Sequence, residues 1–377
     1  MFNVICNKKD LLKSINECQK AINSKCTLDI LKNFHLKATK DTLEIIGYDL
    51  EIGISSSFKT SVVEEGELLI NARLFSDIIR KMPESDITLN YSDELLFIIC
   101  GKSKFKLKCE NVKDYPSLPI ENTDCSTITL DTNMFKTMVK ETVFAISHDI
   151  TKPILNGVSI DILEENLKFA AIDGYRLAIS DCKVEKQEQI KSLIVPGKTL
   201  NDVCSILDSN KETFELSFNE KYVIFSFKNT TLVGRLLDGN FIEYSKLVPN
   251  EFTTNIKVNT KSLIDSLDRI CTIESGKNHL CNLNILNGLL NISSQSDIGS
   301  GIEEVPIELT GDTLNIAFNS RYLIEGLRAI KSDEIIMNFT TNVNPCVIKP
   351  IYDDEANKDY TYLLLPVRQR QVAPQGN

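Results

Sequence analysis

The sequence is short of almost every pattern that enzymatic chemistry relies on. Its three histidines, His35, His148 and His279, are far apart and lack metal-ligand spacing, which argues against a zinc centre. It has no phosphate-cradling G-x-x-x-x-G-K-[ST] loop, no G-x-G-x-x-G and no H-E-x-x-H. Ser147-His148-Asp149 carries the residue types of a triad, but adjacent residues do not face one another and no nucleophile elbow surrounds them. The eleven cysteines are odd in number and include no C-x-x-C, so they read as small core residues and not as a disulfide framework. No apolar run approaches the roughly 20 residues of a membrane span. Met1-Phe2-Asn3-Val4-Ile5-Cys6 reads as strand-like, without a signal-peptide core, and the expected location is the cytoplasm. No catalytic residue, metal ligand or cofactor is assigned.

What the sequence does contain is repetition. Leu68-Leu69-Ile70-Asn71-Ala72-Arg73-Leu74-Phe75 returns as Leu193-Ile194-Val195-Pro196-Gly197-Lys198-Thr199-Leu200 and again as Ile316-Ala317-Phe318-Asn319-Ser320-Arg321-Tyr322-Leu323. A spacing of about 120–125 residues exceeds any solenoid unit, so the repeated object is a small domain. Three domains are expected, at 1–124, 125–250 and 251–368, with a polar disordered tail at 369–377. Each holds two helices and about eight short strands. Apolar periodicity marks the first helices at Leu11, Ile15, Cys18 and Ile22, at Phe135, Val139, Thr142 and Ile146, and at Leu263, Leu267 and Ile270. Asn7, Asn133 and Thr260 stand where N-caps are wanted. The second helices show Leu74, Ile78 and Met82, then Leu200, Cys204 and Leu207, then Leu323, Leu327 and Ile330, with caps at Asn71 and Asn319. Period-2 stretches such as Phe214-Glu215-Leu216-Ser217-Phe218 fill the remainder. The fold class is α+β, with helices packed on antiparallel sheets. The connectors Lys113–Pro119 and Phe241–Pro249 contain proline and aromatics and are not Gly/Ser-rich, which suits stiff joints.

A net charge of −10 speaks against nucleic acid, but its distribution does not. The helical stretches 8–25, 71–81, 132–152, 196–207, 259–277 and 319–331 hold 18 Lys and Arg against 10 Asp and Glu, a surplus of +8 that leaves −18 elsewhere. Helices sharing one surface would give an acidic protein a basic face.

Thr27-Leu28-Asp29-Ile30-Leu31, Tyr48-Asp49-Leu50-Glu51-Ile52, Asp114-Tyr115-Pro116, Asp173-Gly174-Tyr175-Arg176-Leu177, Leu237-Asp238-Gly239-Asn240-Phe241 and Tyr362-Leu363-Leu364-Leu365-Pro366-Val367-Arg368 follow one another in an order that resembles the bacterial DNA polymerase III beta subunit, the replication sliding clamp. The resemblance covers essentially the whole chain. It implies a non-enzymatic DNA clamp fold: three domains forming half of a six-domain ring, closed by a head-to-tail homodimer around double-stranded DNA read without sequence specificity. It implies a dimer interface of Lys102, Lys104 and Phe105 against Thr272, Ile273, Glu303 and Glu304. It implies inner DNA contacts at Lys25, Arg73, His148, Lys152 and Lys198, with Pro153-Ile154 where some relatives carry tyrosines. It also implies a pocket for peptides of the DNA polymerase III catalytic subunit, the clamp loader and other clamp-motif proteins. That pocket comprises Leu155, Ile172, Gly174, Tyr175, Arg176, Leu177, Ile242, Leu247, Tyr322, Pro345, Leu363, Leu365, Pro366, Val367 and Arg368. A clamp paralogue for repair or antibiotic resistance, a non-ring binding module of this fold, and an enzyme using Arg176 as an anion site are the competing readings.

Overall fold

The computed structural model describes residues 2–120, 125–187, 190–207, 213–273, 279–352 and 358–368; the tail at 369–377 lies outside the described residues. Six α-helices occur among them: α1 (Lys8–Cys18), α2 (Ala72–Lys81), α3 (Thr132–Thr142), α4 (Gly197–Ile206), α5 (Thr260–Cys271) and α6 (Ser320–Ala329). Capping chemistry fixes several of their starts. Asn7, Asn71 and Asn319 accept the backbone N–H of Lys9, Leu74 and Tyr322 at 2.9, 3.0 and 3.1 Å. For α5 the cap is Asn259, which accepts from Ser262 N, and Thr260 is the first helical residue; Asn133 likewise lies inside α3 and does not cap it.

Three helices are shorter than the expected stretches 8–25, 132–152 and 259–277. α1 gives way to a 3₁₀ turn at Gln19–Ala21, beyond which Asn23 Oδ1 takes the Lys25 N–H and favours a turn over further helix. α3 stops at Thr142, whose hydroxyl bonds back to Met138 O at 2.8 Å. α5 ends at Cys271. Within the observed helices 13 Lys and Arg face eight Asp and Glu, so the surplus falls to +5, and Lys20, Lys25, Lys152 and Lys331 lie outside α-helix. The phase of α2 also differs from expectation. Phe75 and Ile79 are fully buried while Leu74 is 49 % exposed, because the buried strand Gly66–Asn71 runs directly into the helix and sets its rotation.

The chain divides into two compact units. One contains Met1–Asn133 and Lys198–Leu236, the other Met134–Gly197 and Leu237–Asn377. Each unit has a large antiparallel sheet that runs across a repeat boundary. In the first, the strand Ile52–Lys59 pairs with Thr230–Arg235, placing Ser56 opposite Thr230. In the second, Arg176–Lys183 pairs with Lys358–Leu364, placing Leu177 opposite Leu363. The resulting sheets have eight and nine strands, and each unit adds a smaller sheet, of five and four strands respectively. Phenylalanines at 2, 34, 75, 135, 169, 225, 318 and 339 are inaccessible to solvent, and each such burial contributes about 2–3 kcal/mol. Of the eleven cysteines six are buried and five partly so.

Packing is tight where α6 meets the second unit's sheet. A Cβ built on Gly326 would lie 2.1 Å from Tyr362 Cε1, and Tyr362 is fully buried with its hydroxyl bonded to Tyr322 O at 2.8 Å. Alanine in a helix interior normally gains up to about 1 kcal/mol over glycine. Gly326→Ala is expected to reverse that sign and cost about 1–3 kcal/mol in denaturant unfolding; a stabilised variant would show the contact to be soft.

Candidate functional site

The second unit's cross-boundary pairing gathers many residues of the expected peptide groove. The turn after the strand Asn166–Ile172 needs a left-handed residue and has one in Gly174, at φ 95°. Asp173 Oδ1 accepts the N–H of Tyr175 and Arg176 at 2.9 and 3.1 Å and fixes the turn. Leu155, Ile172, Leu177, Val347 and Leu363 form one buried cluster, with Phe241, Tyr244, Val248 and Phe252 packed against it. The segments that carry this floor also bear exposed apolar side chains: Tyr175, Ile242, Leu247, Leu365 and Val367 among the expected residues, and Val343 besides. Leu365 N donates to Tyr175 O at 2.9 Å, which ties the C-terminal strand to the turn. Tyr175 and Tyr322 stack 6.2 Å apart. Pro345 and Pro366 are half-buried and Arg368 is exposed.

Arg176 sits beneath this surface, at 7 % exposure. Its Nε donates to Asp173 Oδ2 at 3.0 Å, its Nη1 to Glu325 Oε2 at 2.5 Å and its Nη2 to Phe144 O at 2.7 Å. The guanidinium lies over the Tyr322 ring at 4.3 Å and the Phe144 ring at 5.3 Å. All three of its nitrogens are hydrogen-bonded and two rings lie against it, so it braces the cluster. Burial pushes the Glu325 carboxyl up, but the hydrogen bonds and charges of Arg176 and Arg321 outweigh that and hold it below its usual range.

Sequence reasoning missed Val347, Phe241, Tyr244, Val248 and Phe252 in the cluster, and Glu325 under it. The apolar run Cys346-Val347-Ile348, on the strand that sets Val347 opposite Leu363, was the available signal for the first. The connector that carries Phe241 and Tyr244 also walls a cleft of about 570 Å³ with Asp161, Ile194 and Ile242, where Tyr244 OH donates to Asp161 Oδ2 at 2.6 Å. Burial, then Asp161, push that phenol's pKa well up.

Two other groups of expected residues fall on edges and loops. Lys104 and Phe105 lie on Ser103–Lys108, the outermost strand of the first unit's five-stranded sheet, with Lys102 in the preceding turn and Phe105 45 % exposed. Glu303 and Glu304 lie on Gly299–Pro306, the outermost strand of the second unit's four-stranded sheet, which also exposes Ile302. Thr272 and Ile273 follow α5, and a Cβ at Gly301 would meet Ile273 Cδ1 at 2.5 Å, so Ile273 packs on that edge. Glu303 receives both Arg269 Nε and Nη2, at 2.9 and 2.6 Å. Lys25, Arg73 and Lys198 are exposed on the first unit, His148 and Lys152 on the second. Ser147 and Asp149 form a turn, with Asp149 N on Ser147 Oγ and the carboxylate on Thr151, so no charge relay runs through His148.

Three domain families match in tandem: the N-terminal, central and C-terminal domains of the DNA polymerase III beta subunit, at residues 2–119, 129–243 and 245–368. The beta sliding clamp of Bacillus subtilis is 31% identical over 375 residues, covering 96% of this chain and 98% of that protein. The chain belongs to the DNA polymerase III beta subunit family. Its fold is the family's three-domain α+β clamp fold. A crystal structure of the B. subtilis sliding clamp matches with a TM-score of 0.93 over 98% of this chain and 100% of that one. A Bartonella birtlesii sliding clamp bound to griselimycin matches with a TM-score of 0.91 at 26% identity, over 98% and 100% of the two chains.

The bracing role of Arg176 has a checkable consequence. Arg176→Met leaves Asp173 without its cation and Glu325 with Arg321 alone, and is expected to cost about 3 kcal/mol at neutral pH. A depressed carboxyl contributes stability above its unfolded pKa and loses it as pH falls through the folded one. The gap between wild type and variant, followed by thermal unfolding from neutral to acid pH, should therefore narrow below the usual glutamate value of 4.5. A gap independent of pH would contradict the assignment.

Proposed function

We propose that two copies of the chain close head to tail into a ring around duplex DNA and, as the sliding clamp of replication, hold the replicative polymerase on its template. The observation that carries this is the pair of outermost strands. Ser103–Lys108 and the turn before it present Lys102, Lys104, Lys106 and Lys108 around Phe105, while Gly299–Pro306 presents Glu303 and Glu304 beside Ile273 and Ile302. Opposite charge around an apolar centre suits a heterologous interface, in which charge sets register and burial supplies the free energy. Pairing the strands between copies also removes two edges that would template aggregation. A heterologous contact that closes gives a ring.

Lys25, Arg73, His148, Lys152 and Lys198 would touch DNA phosphates, contacts that carry no sequence information and let the ring slide. The groove would take short, extended, apolar peptide segments from the polymerase catalytic subunit, the clamp loader and other clamp-motif proteins. Its dry floor and few polar anchors support that chemistry. We retain the three repeats as three domains, at 1–124, 125–250 and 251–368. A replication subunit of this kind works in the cytoplasm and acts through topology, with no chemical step of its own.

Loaded onto circular DNA, the protein should remain bound at salt concentrations that abolish phosphate contacts, and should be lost once the circle is cut; equal release from circles and linear fragments would contradict the ring. For the groove, Leu365→Ala removes an exposed contact and is expected to weaken peptide binding about tenfold with an unchanged melting temperature. Leu177→Ala, within the buried floor, should lower both. Undiminished peptide binding by both variants would place the partners elsewhere.

A further inference from the structure

The turn that positions Arg176 in the second unit has a counterpart in the first. Tyr48-Asp49-Leu50-Glu51-Ile52 matches Ile172-Asp173-Gly174-Tyr175-Arg176, with Leu50 at φ 75° where Gly174 stands at 95°. Asp49 Oδ1 accepts the N–H of Glu51 and Ile52 at 3.1 and 2.8 Å, as Asp173 Oδ1 accepts those of Tyr175 and Arg176. The neighbouring strand ties both turns alike: Arg235 N donates to Glu51 O as Leu365 N does to Tyr175 O, each at 2.9 Å. The second carboxylate oxygen is used differently. In the second unit Asp173 Oδ2 takes the Nε of Arg176. In the first unit the arginine's position is held by Ile52, which is buried and uncharged, and Asp49 Oδ2 lies 4.0 Å from Lys198 Nζ of α4.

The Lys198 side chain is 65 % exposed, whereas that of Asp49 is only 6 % exposed. One helical turn further along α4 stands Asp202. Its Oδ2 is shielded from solvent and has no hydrogen-bond partner. Burial is the largest influence on the Asp202 carboxyl and leaves it above its usual range; Lys198 and Lys20 pull it down, and Asp49 pushes it up. Two carboxylates from different repeats therefore share the field of two lysines, and the four charges sum to zero. Glu51 and Arg235, exposed beside the turn, cancel as well. A lysine that neutralises a phosphate releases a cation condensed on the DNA, and that release drives binding. Where carboxylates already balance the lysine, the cation stays to balance them. We propose that Asp49 and Asp202 are positioning residues for DNA, which act as internal counter-ions of Lys198 so that it meets a phosphate without releasing a full DNA counter-ion. A contact that is oriented yet weak suits a protein that stays on DNA by topology and moves along it. The proposal rests on the reading of Lys198 as a DNA contact, and is independent of ring closure and of the peptide groove.

The test is binding of the full chain to a short linear duplex, followed by fluorescence anisotropy over a series of potassium chloride concentrations at about pH 8, above the ordinary aspartate range. Asp202→Asn removes one charge, and Asp49→Asn removes the other while keeping an oxygen to accept the turn's N–H groups. Each should steepen the plot of log K against log salt concentration. Together they should steepen it by about 0.9, the slope of one added phosphate contact, with roughly tenfold tighter binding at about 50 mM salt. Adding Lys198→Ala to the double variant should remove the gain. Asp93→Asn makes the same charge change in the turn between Asp86–Ser92 and Leu95–Cys100 and should leave the slope as it is. An equal rise in Asp93→Asn would reduce the effect to net charge and overturn the proposal. A merely structural role for the aspartates would move the unfolding midpoint and leave the slope unchanged, which would also overturn it. Weaker binding by Lys198→Ala, together with an unchanged slope in the double variant, would keep the DNA contact and overturn this proposal alone. No effect of Lys198→Ala in either background would remove the contact, and the proposal with it. If one aspartate variant does not fold, the other decides by the same sign.

Discussion

The structure depends on antiparallel strand pairing across repeat boundaries. A strand at the rim of a sheet leaves a row of N–H and C=O groups open to whatever strand arrives next. In this chain Ile52–Lys59 is met by Thr230–Arg235, and Arg176–Lys183 by Lys358–Leu364, so two such rims are covered from within. Each ladder bond is worth only about 1 kcal/mol net, but the pairing also fixes register, and register decides which side chains meet. The middle repeat is shared between two compact units as a consequence. Ser103–Lys108 and Gly299–Pro306 are among the strands left outermost, and the proposed assembly uses these two in the same manner between copies.

The apolar cluster beneath the proposed groove is a product of that register. Leu177 meets Leu363, which meets Val347 on the next strand, and the three join one buried cluster with Leu155 and Ile172. Support comes from Arg176, which spends its hydrogen bonds inward on Asp173, Glu325 and Phe144 O. The cross-boundary strands also govern the polar interior: one junction closes over Glu141 with an ammonium, the other over Glu17 with hydroxyls and a cavity.

Much of this was legible in the sequence. Repetition at domain length gave the architecture, apolar spacing gave helices such as Leu263-Leu267-Ile270, and asparagines at 7, 71 and 319 marked true caps. Helix ends were not legible, because local side-chain bonds at Asn23 and Thr142 compete with the helix in ways that periodicity does not register. The rotation of α2 was misjudged for a similar reason: a buried strand leading into a helix sets its phase before amphipathicity does. In the groove, the leucines of the C-terminal strand were recognisable, whereas Val347, Phe252 and Glu325 join it only through tertiary register. Arg176 reads on paper as a surface contact; only the positions of Phe144, Tyr322 and Glu325 reveal it as an interior brace.

The central claim, that the two outermost strands pair with each other between copies, is tested most directly by amide hydrogen exchange at a series of protein concentrations. Amides of Ser103–Lys108 and Gly299–Pro306 should be protected together at high concentration and lose protection together on dilution, while Ile52–Lys59 and Arg176–Lys183 stay protected throughout. Protection of one outermost strand without the other, or fast exchange in both at every concentration, would contradict it.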